Sequence, residues 1–346
     1  MAAGDKNAAT QTGGIEPVRH FVFILIPDFT LMAFSSAVEP LRMANRVLKK
    51  EAYSWSVVTL DGQPVKASNG LSVVPDGSLA DLKTGRLGFH RPDMVLVCSG
   101  VTVERLSSAD LFGYLRRLHG QGVPIGGMCT SAWLLARAGL LEDRRCAIHW
   151  ETLPSFAETF PDVEVQADLF EVEDNIYTCA GGTAAIDMML HLVGEQLGPA
   201  VAERVSEQCI IDRVRKPQDR QRLPLNARVG VHNSKLLAMI ELMESHLAEP
   251  LTLAQIADKT GLSRRHVERL FRQLLGRSPA RYYLDLRLDR ARHLLLQSDM
   301  SIVEVAIACG FVSASHFSKC YRELYGRSPQ ADRRQAGGST APDLIS

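Results

Sequence analysis

The rhythm of apolar residues changes along the chain. In the first two hundred residues short apolar runs recur: HFVFILI (20–26), SWSVVTL (54–60), DMVLVCSG (93–100), VPIGGM (123–128) and IYTCAGG (176–182). Between them lie LMAFSSAVEPLRMANRVL, SADLFGYLRRLHGQG, TSAWLLARAGLL and TAAIDMMLHLVGEQLG, whose apolar positions follow a helical period. Apolar strands alternating with amphipathic helices predict an α/β domain whose mainly parallel sheet is covered on both faces. No strand-like run of this kind follows residue 182, and from about residue 236 helical periodicity alone remains, which predicts an all-α unit.

That helical unit contains a repeat. IADKTGLSRRHVERLFRQLLGRSPARYY (256–283) resembles VAIACGFVSASHFSKCYRELYGRSPQADR (305–333). Ala257 and Gly261 recur as Ala306 and Gly310 at an offset of 49, and Phe271, Arg272, Gly276, Arg277, Ser278 and Pro279 find counterparts at 50. A small residue, a glycine four positions later and an apolar residue directly after it describe two helices meeting at a tight turn. Ser263 and either Ser313 or Ser315 suit the N-cap of the second helix. Val267 and Leu270, like Phe317 and Cys320, fall on its inward side, whereas Arg264, Arg265, Glu268 and Arg269 face away. One such unit is as consistent with a plain helical hairpin as with a helix-turn-helix. Two copies with matched exposed basic residues, joined by the helix PARYYLDLRLDRARHLLLQ, favour the latter.

These blocks, with the closing GRSPQADRR, resemble the AraC/XylS family of transcription regulators across about a hundred residues. The resemblance implies two recognition helices in successive major grooves of double-stranded promoter DNA. It places Arg265, Glu268 and Arg269, then Ala314, Ser315, Ser318 and Lys319, toward the bases. Arginine or lysine can pair with guanine, and glutamate can accept from cytosine. His316 suits a base or a phosphate, and Arg272, Arg277 and Arg322 suit phosphates.

Charge and composition add limits. The 346 residues suit two domains and carry no formal net charge, yet residues 235–334 hold sixteen Lys and Arg against eleven Asp and Glu. Seven scattered cysteines read as reduced and intracellular, which predicts a cytoplasmic protein. No apolar run reaches the roughly 18 residues of a membrane span. The expected organisation is a disordered leader (1–16), the α/β domain (17–212), a polar, proline-broken linker (213–235), the helical domain (236–334) and a disordered tail (335–346).

In a parallel sheet ligands bind beyond the C-terminal strand ends, where Gly100, Cys129 and Gly182 fall. GGMCTSA sets Cys129 between a strand and a helix, as in a nucleophile elbow. With AIHW, whose His149 follows Cys129 by 20 residues, it resembles the DJ-1/PfpI domains of the class I glutamine amidotransferase-like fold. The resemblance implies an oxyanion cradle from backbone N–H groups near Gly100 and Thr130. It also implies a glutamate beside the cysteine, but Ala33 stands in its aligned place, and Asp28 and Glu39 are off register. Without that acid, Cys129 and His149 read as vestiges and the expectation is no catalysis; Cys146 and His149 meet no further ligand at a usual spacing, so no metal is expected, and no cofactor.

The combination resembles the GlxA-type branch of AraC-family regulators over nearly the whole chain. SAVEPLRMAN, HWET, CAGGTAAIDMMLHLV and DRQRLPL are similar to members that control catabolism of glycine betaine, dimethylglycine or carnitine. The resemblance implies a small-molecule effector such as a quaternary or methylated amine, a homodimer formed through the N-terminal domain, RNA polymerase as a partner, and activation of transcription. A cationic effector needs an aromatic wall, for which Phe29, Phe34, Trp133 and Trp150 are candidates. The competing readings are a cysteine-dependent hydrolase or amidase and a redox sensor, both using Cys129.

Overall fold

The computed structural model describes residues 17–88, 91–100, 103–222 and 225–337. The leader 1–16 and the chain beyond residue 337 lie outside the described residues. The chain begins with β1 (Arg19–Leu25), α1 (Leu31–Leu48), β2 (Tyr53–Thr59), β3 (Val65–Lys66), β4 (Ser72–Val73), β5 (Gly77–Ser78) and α2 (Leu79–Thr84). It continues through β6 (Met94–Cys98), α3 (Ala109–Gly120), β7 (Ile125–Met128), α4 (Ala132–Arg137), β8 (Arg145–Ala147) and α5 (Leu153–Thr159). Then come β9 (Glu164–Gln166), β10 (Phe170–Glu173), β11 (Ile176–Cys179), α6 (Ala184–Leu197) and α7 (Pro199–Gln208).

A seven-stranded sheet of order β10-β11-β7-β6-β1-β2-β5 forms the centre of this α/β domain. Every neighbouring pair is parallel except β10–β11. The period-two alternation of β1 explains its unbroken apolar run. Phe21, Phe23 and Leu25 enter the cluster under α1 and α6, while Val22 and Ile24 enter the one under α3 and α4. Sequence patterning does not anticipate β10, whose FEVE alternates polar and apolar residues, as suits an antiparallel edge strand. It also misses the small β8–β9 pair.

The helical domain comprises α8 (Leu225–Val229), α9 (Ser234–Glu244), α10 (Leu253–Lys259), α11 (Arg264–Leu275), α12 (Pro279–Gln297), α13 (Ile302–Ala308), α14 (Ala314–Tyr325) and α15 (Pro329–Gly337). The repeat appears as repeated capping. Thr252 with Gln255 and Ser301 with Glu304 form capping boxes on α10 and α13, and Ser263 and Ser313 cap α11 and α14. At the turns Gly261 (φ +65°) and Gly310 (φ +71°) adopt left-handed backbone. Each half owns a core, Met239, Ile256, Val267 and Phe271 in the first and Leu294, Val305, Phe317 and Tyr321 in the second. Helix α12 gives Tyr283 to one core and Leu288, Ala291 and Leu294 to the other.

Residues 213–222 lie along the α/β domain. Buried Asp187 accepts from the Arg215 backbone N–H (2.7 Å) and from its guanidinium (2.6 Å). Leu169 N–H donates to the Pro217 carbonyl (2.8 Å), and the Gln221 amide donates to the carbonyls of Ile148 (2.9 Å) and Asp168 (2.7 Å). The domains also meet directly, with Arg290 of α12 within 3.3 Å of Glu158 of α5.

Candidate functional site

Cys129 follows β7 and precedes α4, with φ at +63°, a conformation that costs a non-glycine residue energy unless its surroundings enforce it. The enforcement is visible. Its N–H donates to the Cys179 carbonyl (3.0 Å), and its own carbonyl accepts from His149 N–H (3.2 Å). A Cβ on Gly181 would come within 2.6 Å of the Cys129 Cβ, so only glycine allows the loop after β11 to close on the elbow. Gly100 is constrained still more tightly, since a Cβ there would meet the Asp28 carbonyl oxygen at 1.9 Å. Gly182 lies at the rim, where a Cβ would meet exposed Met32.

The elbow is strained but its thiol is not activated. The Thr30 hydroxyl donates to Cys129 Sγ at 3.4 Å. Burial pushes the thiol up, against the weaker opposing pull of the Thr30 hydroxyl and the Thr130 N–H. Burial also pushes His149 down, opposed by Glu151, whose carboxylate lies 4.0 Å from His149 Nδ1. Among the described residues no hydrogen bond joins the thiol to the imidazole. Protonated sulfur beside a neutral ring is therefore the ground state at neutral pH, a poor starting point for nucleophilic attack. Ala33, aligned with the missing acid, is buried on α1, and the side chain that reaches the sulfur is Thr30.

Nearby hydroxyls are committed to the fold. Ser99 bridges Thr130 (2.9 Å) and Ser131 (2.8 Å), and Thr130 Oγ1 donates to the Gly100 carbonyl (2.7 Å). Phe29 is fully buried and meets Phe34 edge-on, while Trp133 packs on Phe156 and Phe160. Trp150, like Phe34, is half-buried, and its face carries the Arg222 guanidinium 4.4 Å from the ring centroid. Its ring lies 5.7 Å from that of His149 and meets His293 of α12 edge-on at 6.4 Å. Neither Thr30 nor Arg222 carries a signal in sequence, since each acts only through a partner about a hundred or seventy positions away. Cys98, Cys146, Cys179 and Cys309 are buried, and no group of three metal-ligating side chains occurs among the described residues.

On α11, Arg264, Arg265, Arg269 and Arg272 are exposed and Glu268 is half-buried, while Val267, Leu270 and Phe271 are buried on the opposite side. On α14, Ser315, His316, Lys319 and Arg322 are exposed and Ser318 is half-buried. Ser315, Ser318, Lys319 and Arg322 line one open groove of about 480 Å³. Among the described residues, Arg264, Arg265, Arg269, Arg272, Lys319 and Arg322 make no ion pair, so their charges are available to an anionic partner. Arg277 differs, because Asp285 holds it at 3.0 Å. His316 Nε2 lies 3.4 Å from Cys320 Sγ.

Comparison with known proteins places both halves. Residues 22–195 match the DJ-1/PfpI family and residues 256–335 match a helix-turn-helix domain family. The HTH-type transcriptional regulator GbdR of Pseudomonas aeruginosa is 46% identical over 312 residues, which cover 90% of this chain and 83% of that one. CdhR of the same organism is 46% identical over 313 residues, covering 90% and 91%. GlxA of Rhizobium meliloti is 37% identical over 321 residues, covering 92% and 97%. A solved AraC family transcriptional regulator from Pseudomonas putida aligns at 30% identity with a TM-score of 0.50, covering 55% of this chain and 99% of that one. The chain belongs to the AraC-family HTH-type transcriptional regulators that place a DJ-1/PfpI domain ahead of two helix-turn-helix units, and it is a DNA-binding regulator of transcription.

Proposed function

We propose that this regulator activates a catabolic operon when its N-terminal domain binds a small metabolite at the strand ends around Cys129 and His149. Glycine betaine, carnitine or a related methylated amine is the effector class favoured by the sequence resemblance. The carrying observation is the elbow itself. Its strained backbone is fully enforced, yet Thr30 stands at the sulfur in place of an acid, and burial keeps thiol and imidazole uncharged. A strained turn held in place without an activated nucleophile is suited to binding, and the domain acts without turnover. The exposed, unpaired arginines of α11 and Lys319 and Arg322 of α14 supply the contacts to double-stranded promoter DNA. Homodimerisation through the N-terminal domain, recruitment of RNA polymerase and a cytoplasmic location complete the reading.

The test is a fluorescence-anisotropy titration of the full chain against its promoter fragment, with and without glycine betaine or carnitine. Cys129→Ser is expected to keep the ligand response, and loss of that response in the variant would restore a chemical role for the thiol. Arg269→Ala and Lys319→Ala are each expected to lower the slope of log K against log salt by about 1. An unchanged slope in both variants would remove these side chains from the DNA interface.

A further inference from the structure

The two domains flank an open cavity of about 230 Å³, lined by Trp150, Arg220, Gln221, Arg222, Arg228 and Glu244 among others. Its two halves come from different domains. Trp150 belongs to the loop after β8 and directly follows His149, while Arg228 and Glu244 belong to α8 and α9. Arg228 and Glu244 neutralise each other through two hydrogen bonds of 3.1 and 3.0 Å. Arg222 is not partnered in that way. Its guanidinium lies over the Trp150 ring at 4.4 Å, it is exposed, and no carboxylate of the described residues forms an ion pair with it. The negative face of an indole attracts any cation that sheds part of its water, and the attraction does not depend on hydrogen-bond geometry.

We propose that this interdomain cavity is the seat of a small organic cation, which takes the face of Trp150 now covered by Arg222 and releases that side chain to solvent. The exchange replaces one positive charge by another, so the charge balance around Glu244 is preserved. Arg222 gives up a ring contact and the longer-range attraction of Glu244 and Glu151, but no ion pair. A ligand seated there touches the β8–α5 loop on one side and α8 and α9 on the other. The ring it covers also meets His293 of α12, the helix shared by both DNA-facing units. Occupation of the cavity therefore changes how α12 rests on the N-terminal domain, which it also meets through the 3.3 Å Glu158–Arg290 pair. This rests on the reading that a small metabolite controls the regulator, and it places the cationic end of that metabolite between the domains, on the ring that directly follows His149.

The probe is tetramethylammonium, with tert-butanol as a neutral mimic of similar size, titrated calorimetrically into the full-length protein. Arg222→Gln removes the internal competitor and is expected to tighten tetramethylammonium binding about five- to tenfold. Trp150→Leu is expected to abolish binding, and tert-butanol is expected to bind to neither form. Circular dichroism and a thermal melt establish that each variant is folded, and Trp150→Phe, which keeps an aromatic face, is expected to retain weakened binding if the leucine variant proves unstable. Failure of Arg222→Gln to bind the probe, or equal affinity of wild type and Arg222→Gln, overturns the proposal. Binding that is insensitive to Trp150 and Arg222 but weakened by Thr30→Val overturns it while leaving an effector at the elbow. If glycine betaine and carnitine leave promoter affinity unchanged although tetramethylammonium binds as described, the metabolite reading fails and the cation seat stands.

Discussion

Arg287 of α12 offers a quantitative check on how the second DNA-facing unit is held. Its guanidinium donates to the carbonyls of Cys309 (2.7 Å) and Gly310 (2.7 Å) and lies 4.2 Å from the centroid of Phe311. All three partners belong to the turn that follows α13. Hydrogen bonds from a charged donor contribute about 1.5–3 kcal/mol each, and a half-buried cation–π contact adds about 1 kcal/mol. Arg287→Met keeps the aliphatic stem and removes both bonds and the charge. Allowing for water reaching the freed carbonyls, the expected cost is about 3 kcal/mol, located in the unit formed by α13 and α14. Native-state hydrogen exchange reads this directly. Amides of Val305, Ala306 and Phe317 should lose protection by about a hundredfold, while those of β1 and β6 stay unchanged. Arg287→Lys, which cannot fork onto two carbonyls, should fall between. A loss of protection below about threefold, equivalent to roughly 0.7 kcal/mol, would refute the argument that Arg287 holds the turn.

Two pH-dependent outcomes follow from buried groups. Because burial raises the Cys129 thiol, alkylation of the Cys129 peptide by iodoacetamide, followed by mass spectrometry, should be slower than for a free cysteine at pH 7 and should still be rising at pH 9; a plateau near pH 7 would contradict this. Glu104, in the short turn Val103–Arg105, has its carboxyl pushed up to about 7 by burial, and its Oε1 is buried without a hydrogen-bond partner. An acid whose folded value is raised contributes fully below its unfolded value near 4.5 and loses that contribution as pH rises through 7. Glu104→Gln should therefore stabilise the protein at pH 8 by up to about 3 kcal/mol and change little at pH 4. Equal denaturation midpoints for both proteins at pH 8 would show that the carboxylate is solvated.

What could be read in advance depended on how far apart the interacting residues lie. The alternation of β1 and the helical period of α1, α3 and α6 are local, so the parallel sheet and its two covered faces were legible. The duplicated turn was legible for the same reason, since Ser263, Gly261 and their counterparts Ser313 and Gly310 act within one or two helical turns. Edge strand β10 was not, because its polar–apolar pattern acquires meaning only against β11. The sequence also showed the elbow, through glycines crowded before Cys129, and its resemblance to DJ-1/PfpI domains implied an acid whose aligned place Ala33 occupies. It could not show Thr30 in that role, because the sulfur contact spans 99 positions.

By itself, then, the order of residues determined an α/β part and a helical part, a parallel sheet, a duplicated two-helix unit and a cysteine at a tight turn, all consequences of short-range period, capping and backbone preference, while the resemblance supplied the DNA-binding role. The tertiary structure alone decided which aromatic faces are free and which charges are spoken for. Phe29 and Trp133 went to the core, Asp187 to Arg215, Arg277 to Asp285, and Trp150 to Arg222 and His293 at the domain boundary. Burial and pairing are properties of neighbours distant in sequence, and folding chooses those neighbours by packing the whole chain at once.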